Sequence, residues 1–147
     1  MEHNHTYGTG SDGIWVDQAA DARICSNYAE YWGEAASVGN VRGIYVRLGW
    51  DAIVNDNVIG GQGSALGSGN TPFGILVENF PNSEAHLMIN NNLVSYAGTA
   101  AGTGVSVVKN GGSGTFYCVG KGTNMSQGWT TASNYSGTLT LTGGIIV

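Results

Sequence analysis

The sequence predicts an all-β fold, and three observations carry that prediction. Gly accounts for 25 of 147 residues, against about 7% in average proteins, and Asn, Ser and Thr are abundant beside it, as tight turns require. Between these turn formers lie short segments rich in Val, Ile and aromatic residues, which suit a pleated, half-buried surface. Strong helix formers are scarce in series and only two Pro occur. Charged residues are 10%, against roughly 25% on average, so the low-hydrophobicity, high-charge signature of disorder is missing. A chain of this length is one domain by the usual size prior and buries a core unaided. About eight short strands at this spacing fit a sandwich or a barrel.

Taken in order, residues 1–13 are polar and Gly-rich and read as a flexible lead, leaving residues 14–147 as the single β domain. Residues 14–16 and 22–25 are short strands. Tyr28-Ala-Glu-Tyr-Trp-Gly-Glu34 admits one helical turn, with Glu30 and Glu34 four apart, but lacks a capping residue. Residues 41–48 alternate cleanly, with Ile44, Val46 and Leu48 on one face and Tyr45 and Arg47 on the other; residues 52–54 extend the strand after a bend at Gly49. Residues 60–72 form a low-complexity Gly/Ser loop, of a length that is usually functional or disordered. Residues 73–80 are a strand ending at Pro81. Residues 85–90 and 93–97 read as a hairpin turning at Asn90-Asn-Asn92, and residues 105–108 and 115–119 as another around Lys-Asn-Gly-Gly-Ser-Gly. The closing strand is 137–142. No internal repeat stands out.

Net charge is −5, and all ten acidic residues lie at or before Glu84. Either the first half builds a polar pole, or strands of the two halves interleave and the asymmetry averages out in space. Five basic residues cannot furnish a phosphate-binding surface, which argues against a nucleic-acid partner. No apolar run approaches the ~20 residues that span a bilayer. Cys25 and Cys118 each sit in an apolar stretch. In an oxidising compartment they read as one disulfide, and in the cytosol as two small core residues. The low charge and the Asn/Gly/Ser/Thr-rich surface favour export and the disulfide. The polar start has no signal-peptide core, so an exported form is the mature chain with a start Met added.

Catalytic signatures are sparse. Gly8-Thr-Gly10-Ser-Asp-Gly13 matches a dinucleotide fingerprint, but no strand precedes it and a strand rather than a helix follows, so chance in a Gly-rich chain accounts for it. There is no G-x-S-x-G elbow and no H-E-x-x-H. His86 alternates outward from Leu87 and Ile89, as a surface histidine does. Carboxylate pairs such as Asp51/Asp56 or Glu30/Glu34 are unremarkable among ten acids. The chain reads as a non-enzyme without a cofactor. The oxygen-rich stretches around Asp12, Asp17, Asp21 and Asp51 lack calcium-loop spacing, and no metal is assigned. Aromatic residues are the better clue. Trp32, Trp50 and Trp129 each stand beside Gly, with Asp51 and Asn57 close in sequence. A flat ring can cover the apolar face of a sugar while Asn and Asp bond its hydroxyls. These five residues are the candidate ligand site.

The terminal Asn134-Tyr135 followed by Thr138-Leu-Thr-Leu-Thr-Gly-Gly144 resembles the last strand of bacterial chaperone–usher fimbrial subunits, most of all the Afa/Dr adhesins. That resemblance covers about 14 of 147 residues. It implies an immunoglobulin-like β-sandwich lacking one strand, completed by strand addition from a neighbouring fimbrial subunit. Residues 1–13 do not alternate as a donor strand must, which suits a tip subunit. The expected function is therefore an extracellular fimbrial adhesin domain on the cell surface, binding a host glycan or glycoprotein. Leu139 and Leu141 should then face the core, with residues 145–147 tied down. A structural virion protein, such as a phage decoration or fibre domain, and a stand-alone carbohydrate-binding module are the alternatives.

Overall fold

The computed structural model describes residues 1–34, 39–60, 69–120, 124–136 and 139–141. They form fifteen strands: β1 (His5–Tyr7), β2 (Ile14–Ala19), β3 (Ala22–Cys25), β4 (Tyr28–Glu30), β5 (Gly39–Leu48), β6 (Asp51–Asn55), β7 (Val58–Gly60), β8 (Asn70–Asn79), β9 (Ala85–Asn90), β10 (Leu93–Ser95), β11 (Thr103–Val108), β12 (Phe116–Val119), β13 (Met125–Gln127), β14 (Thr131–Ser136) and β15 (Leu139–Leu141). Every third strand joins the same sheet, giving three five-stranded sheets: β1-β4-β7-β10-β13, β2-β5-β8-β11-β14 and β3-β6-β9-β12-β15. They are called here the β1, β2 and β3 sheets. All strand pairings are parallel.

The chain is thus all-β but a parallel β-solenoid, and the immunoglobulin-like sandwich is overturned. A sandwich of that kind is built from antiparallel strands and hairpins. Here the expected hairpins do not form. β9 and β10 belong to different sheets, as do β11 and β12, so Asn90-Asn-Asn92 and the Lys109–Gly114 segment turn corners between sheets instead of reversing the chain. Residues 28–34 hold β4 and a turn, not helix. The polar first residues supply β1, paired with β4, and the terminal amine donates to Arg23 O.

A sequence repeat explains the winding. Gly13-Ile-Trp-Val, Gly43-Ile-Tyr-Val, Gly74-Ile-Leu-Val and Gly104-Val-Ser-Val recur at successive strands of the β2 sheet. In β5 the buried set changes parity at the glycine, from Val41 and Gly43 to Ile44, Val46 and Leu48. Paired Cα positions pass from Arg42↔Phe73 to Ile44↔Ile75, skipping it. The chain bends there, and the glycines stack so closely that a side chain does not fit. A Cβ on Gly43 would stand 2.7 Å from Gly74 O, and one on Gly74 would stand 2.6 Å from Gly104 O.

A second repeat holds the corner before the β1 sheet. Asn4, Asn27, Asn57, Asn92 and Asn124 form a ladder in which each Nδ2 donates to the next Oδ1, at 2.9, 2.9, 2.9 and 2.7 Å. The second N–H of Asn57 and Asn92 caps a backbone carbonyl, Ile24 O and Val54 O respectively. Asn27, Asn57 and Asn92 are buried, and their polar groups tolerate burial because they are paired along the column. Inside, Ile14, Ile44, Ile75 and Val105 stack with Val54, Leu87, Ile89 and Phe116. Each fully buried aliphatic side chain contributes roughly 1.5–3 kcal/mol relative to exposure.

Cys25 and Cys118 are both buried and are not bridged, so the expected disulfide is not present. They lie in β3 and β12, with β6 and β9 between them. Three strand steps of about 4.8 Å hold their backbones well beyond bridging distance.

Sequence position maps directly onto position along the solenoid, so the acidic residues, none later than Glu84, gather toward one end rather than averaging out. Several pair with arginines of the following strand. Asp12 meets Arg42 at 2.9 Å, and Asp17 holds Arg47 through two bonds of 2.6 and 2.7 Å. That Arg47 hydrogen bond pulls the Asp17 carboxyl below the usual range. Residues 61–68 of the expected loop and residues 145–147 lie outside the described residues, and the side chains of Leu139 and Leu141 are likewise not described.

Candidate functional site

The structure separates the five predicted site residues. Trp32 is fully buried, and its ring runs nearly parallel to that of Trp129 at 6.3 Å and 8°. Trp129 stacks in turn on Tyr96 at 4.5 Å and donates from Nε1 to Val94 O. Both indoles lie over the glycine column, since a Cβ on Gly43 or Gly74 would approach Trp32 or Trp129 to 3.2 and 3.1 Å. They fill the space that the missing side chains leave. Asn57 is a rung of the buried ladder. Only Trp50 and Asp51 face solvent together, Trp50 with 63% of its surface exposed.

Trp50 sits where the chain leaves β5 and enters β6, a corner between the β2 and β3 sheets. Only the Gly49-Trp50 pair connects these strands, so the indole is turned out of the core. Equivalent corners on neighbouring coils supply the remainder of a cleft of about 530 Å³, lined by Gln18, Trp50, Asn82, Ser83 and Glu84 among others. Gln18 and Asn82 both take left-handed backbone conformations, with φ of 54° and 66°, which sharpen these turns. Asn82 Oδ1 accepts from the backbone N–H of Ser113 at 2.9 Å, tying the cleft rim to the next coil.

Beyond Trp50 the outer face of the β3 sheet forms a shallow groove of about 470 Å³, with Asp21, Arg23, Asp51, Ile53, His86 and Met88 on its walls. His86 donates from Nδ1 to Asp51 at 2.8 Å, and its Nε2 stands 3.7 Å from Glu84. Its ring stacks on Tyr117 at 4.8 Å and 12°. Glu84 lines the cleft and His86 the groove, so their approach brings the edges of the two depressions together.

No family model, curated protein or solved structure matches this chain. A solenoid by itself carries no function, so the chemistry must be read from the cleft. The Asp51–His86 pair could orient a base, but both side chains are more than half exposed, and no hydroxyl or thiol is bonded to that imidazole among the described residues. Water is not excluded from that pair. No group of three metal-ligating side chains occurs among the described residues. What remains is an exposed indole beside a polar cleft. Sequence proximity missed Gln18, Asn82, Glu84 and His86, because they reach Trp50 and Asp51 from adjacent coils. Asp51 and His86, for example, are paired positions 35 residues apart.

Proposed function

We propose that this chain is an extracellular carbohydrate-binding solenoid, adhesive in role, which takes a short stretch of a host surface glycan in the Trp50 cleft. The exposed Trp50 indole at the mouth of that cleft carries the reading. A flat indole covers the apolar face of a pyranose, while Gln18, Asn82, Ser83 and Glu84 provide amide, hydroxyl and carboxylate partners for its hydroxyls. The cleft volume lies within the range of small-ligand sites. Its rim is fixed by solenoid corners, so little ordering is needed on binding. Strand addition by a neighbouring subunit rested on the overturned sandwich and forms no part of this proposal.

Screening the purified protein on an immobilised glycan array tests the reading, with Trp50→Ala and Glu84→Gln as variants. The expected result is a preferred glycan whose affinity falls at least about tenfold in Trp50→Ala, with the circular dichroism spectrum unchanged. Equal binding by the wild type and both variants would remove the site assignment. A second reading, a structural virion component such as a fibre domain, is favoured by the unbridged thiols of Cys25 and Cys118. It predicts no glycan signal on the array at all.

A further inference from the structure

The β1 sheet carries an apolar row on its outside. Register places His5, Tyr28, Val58, Leu93 and Met125 in line down the sheet. Each follows a ladder asparagine directly in sequence, so the buried ladder fixes the position of every outward side chain. Tyr28, Val58, Leu93 and Met125 are exposed, Met125 by 66%, and exposed Tyr7 and Tyr31 pack together at 4.9 Å beside one end of the row. The acidic residue in that sheet, Glu30, is already engaged. It accepts from the Tyr28 hydroxyl at 3.0 Å and lies 3.1 Å from His5 Nε2. Scattered exposed apolar side chains are ordinary; a contiguous row of them marks a contact surface.

We propose that this row docks against the same row of a second copy of the chain, in an antiparallel two-fold pairing. The row is graded, with rings at one end, Val58 in the middle and a thioether at the other end. A two-fold axis through Val58 sets Tyr28 against Leu93, and His5 against Met125, of the second copy. The flanking contacts then join a ring to an aliphatic or sulfur-bearing side chain, a favourable combination, and Val58 meets Val58 at the centre. The interface is isologous, as two-fold dimers require. Rungs on both copies repeat at the same strand spacing of about 4.8 Å, so the two rows stay in register over their whole length. Four such steps span only ~19 Å, which places the contact among small, concentration-dependent interfaces.

Sedimentation velocity on the full chain, up to about 1 mM, tests this. The expected result is a reversible monomer–dimer equilibrium that Leu93→Glu or Met125→Glu weakens at least tenfold. In a second measurement, Val58→Cys treated with a short bismaleimide should give a covalent dimer, whereas the wild type, with Cys25 and Cys118 buried, should not. A chain that stays monomeric throughout overturns the proposal. So does a dimer indifferent to both glutamate variants, which would place the contact elsewhere on the chain. The glycan assay is independent, because Trp50 lies at a different corner of the solenoid.

Discussion

Asn57 donates from Nδ2 to Oδ1 of Asn92 at 2.9 Å across 35 residues of sequence, and its backbone N–H reaches the same oxygen at 3.0 Å. Its own Oδ1 accepts from the backbone and side-chain nitrogens of Asn27. Removing this one carboxamide therefore strands partners on both sides, including Ile24 O. Asn57→Ala should lower unfolding free energy by about 3 kcal/mol in a urea titration, given a penalty of roughly 1–3 kcal/mol for each buried polar group left unpaired. Asn57→Asp should be worse at neutral pH, because it points a buried negative charge at two acceptors. A loss below about 1 kcal/mol in both variants would show that the ladder is not cooperative.

The glycine column makes a steric prediction. A Cβ at Gly74 would collide with Val94 and stand 2.6 Å from Gly104 O. Gly74→Ala should destabilise the protein by at least 1–3 kcal/mol, the usual range for overpacking. Gly39→Ala is the contrast. Its Cβ meets nothing within 4 Å, so only the backbone strain of its φ of 96° should register.

Alkaline pH should act through Tyr45. Burial first, and then its hydrogen bond to Glu78, push the phenol from 10.0 up to about 12. The folded state keeps this proton at pH values where the unfolded chain releases it. Stability from this group is therefore complete below pH 10 and is lost as pH rises toward about 12. In urea unfolding at about pH 8 and about pH 11, the stability difference between wild type and Tyr45→Phe should shrink at the higher pH. A constant difference would mean that Tyr45 ionises equally in both states.

The thiols give a redox prediction. Cys25 and Cys118 are buried in strands of one sheet with two strands between them. Mass with and without reductant should be identical. A thiol reagent should label neither residue in the native protein and both after denaturation. A mass lower by two hydrogens before reduction would contradict the strand order.

Much of the local structure was legible from residue types. The strand at residues 22–25 follows from its residue types, and the inward Ile44, Val46 and Leu48 and the outward His86 follow from period-two patterning; Tyr45, expected on the opposite face, is buried as well. Global topology was not legible from the same cues. Asn-rich and Gly-rich segments mark a change of direction, but a hairpin and a solenoid corner use the same residues. The decisive signal was the recurrence of Gly-Ile-x-Val and of the buried asparagines, blurred because the intervals vary: 30 residues from Asn27 to Asn57, but 35 from Asn57 to Asn92. The site followed the same logic. Trp50 and Asp51 announced themselves as neighbours in sequence, whereas Trp32 and Trp129 beside Gly looked loop-like. Those glycines gave no sign that the rings belonged inside, over a bend that only a glycine column permits.

The stacking order has a material consequence. Within its sheet, each described strand pairs only with the strands one coil before and one coil after it, so the molecule behaves as a one-dimensional stack. Sequence length becomes physical length, at about 4.8 Å per coil. Duplicating residues 28–57 in frame, from one Tyr28-equivalent position to the next, should produce a longer rod rather than a misfolded chain. It would carry the Trp50 corner twice, on neighbouring coils between the Gln18 and Asn82 corners.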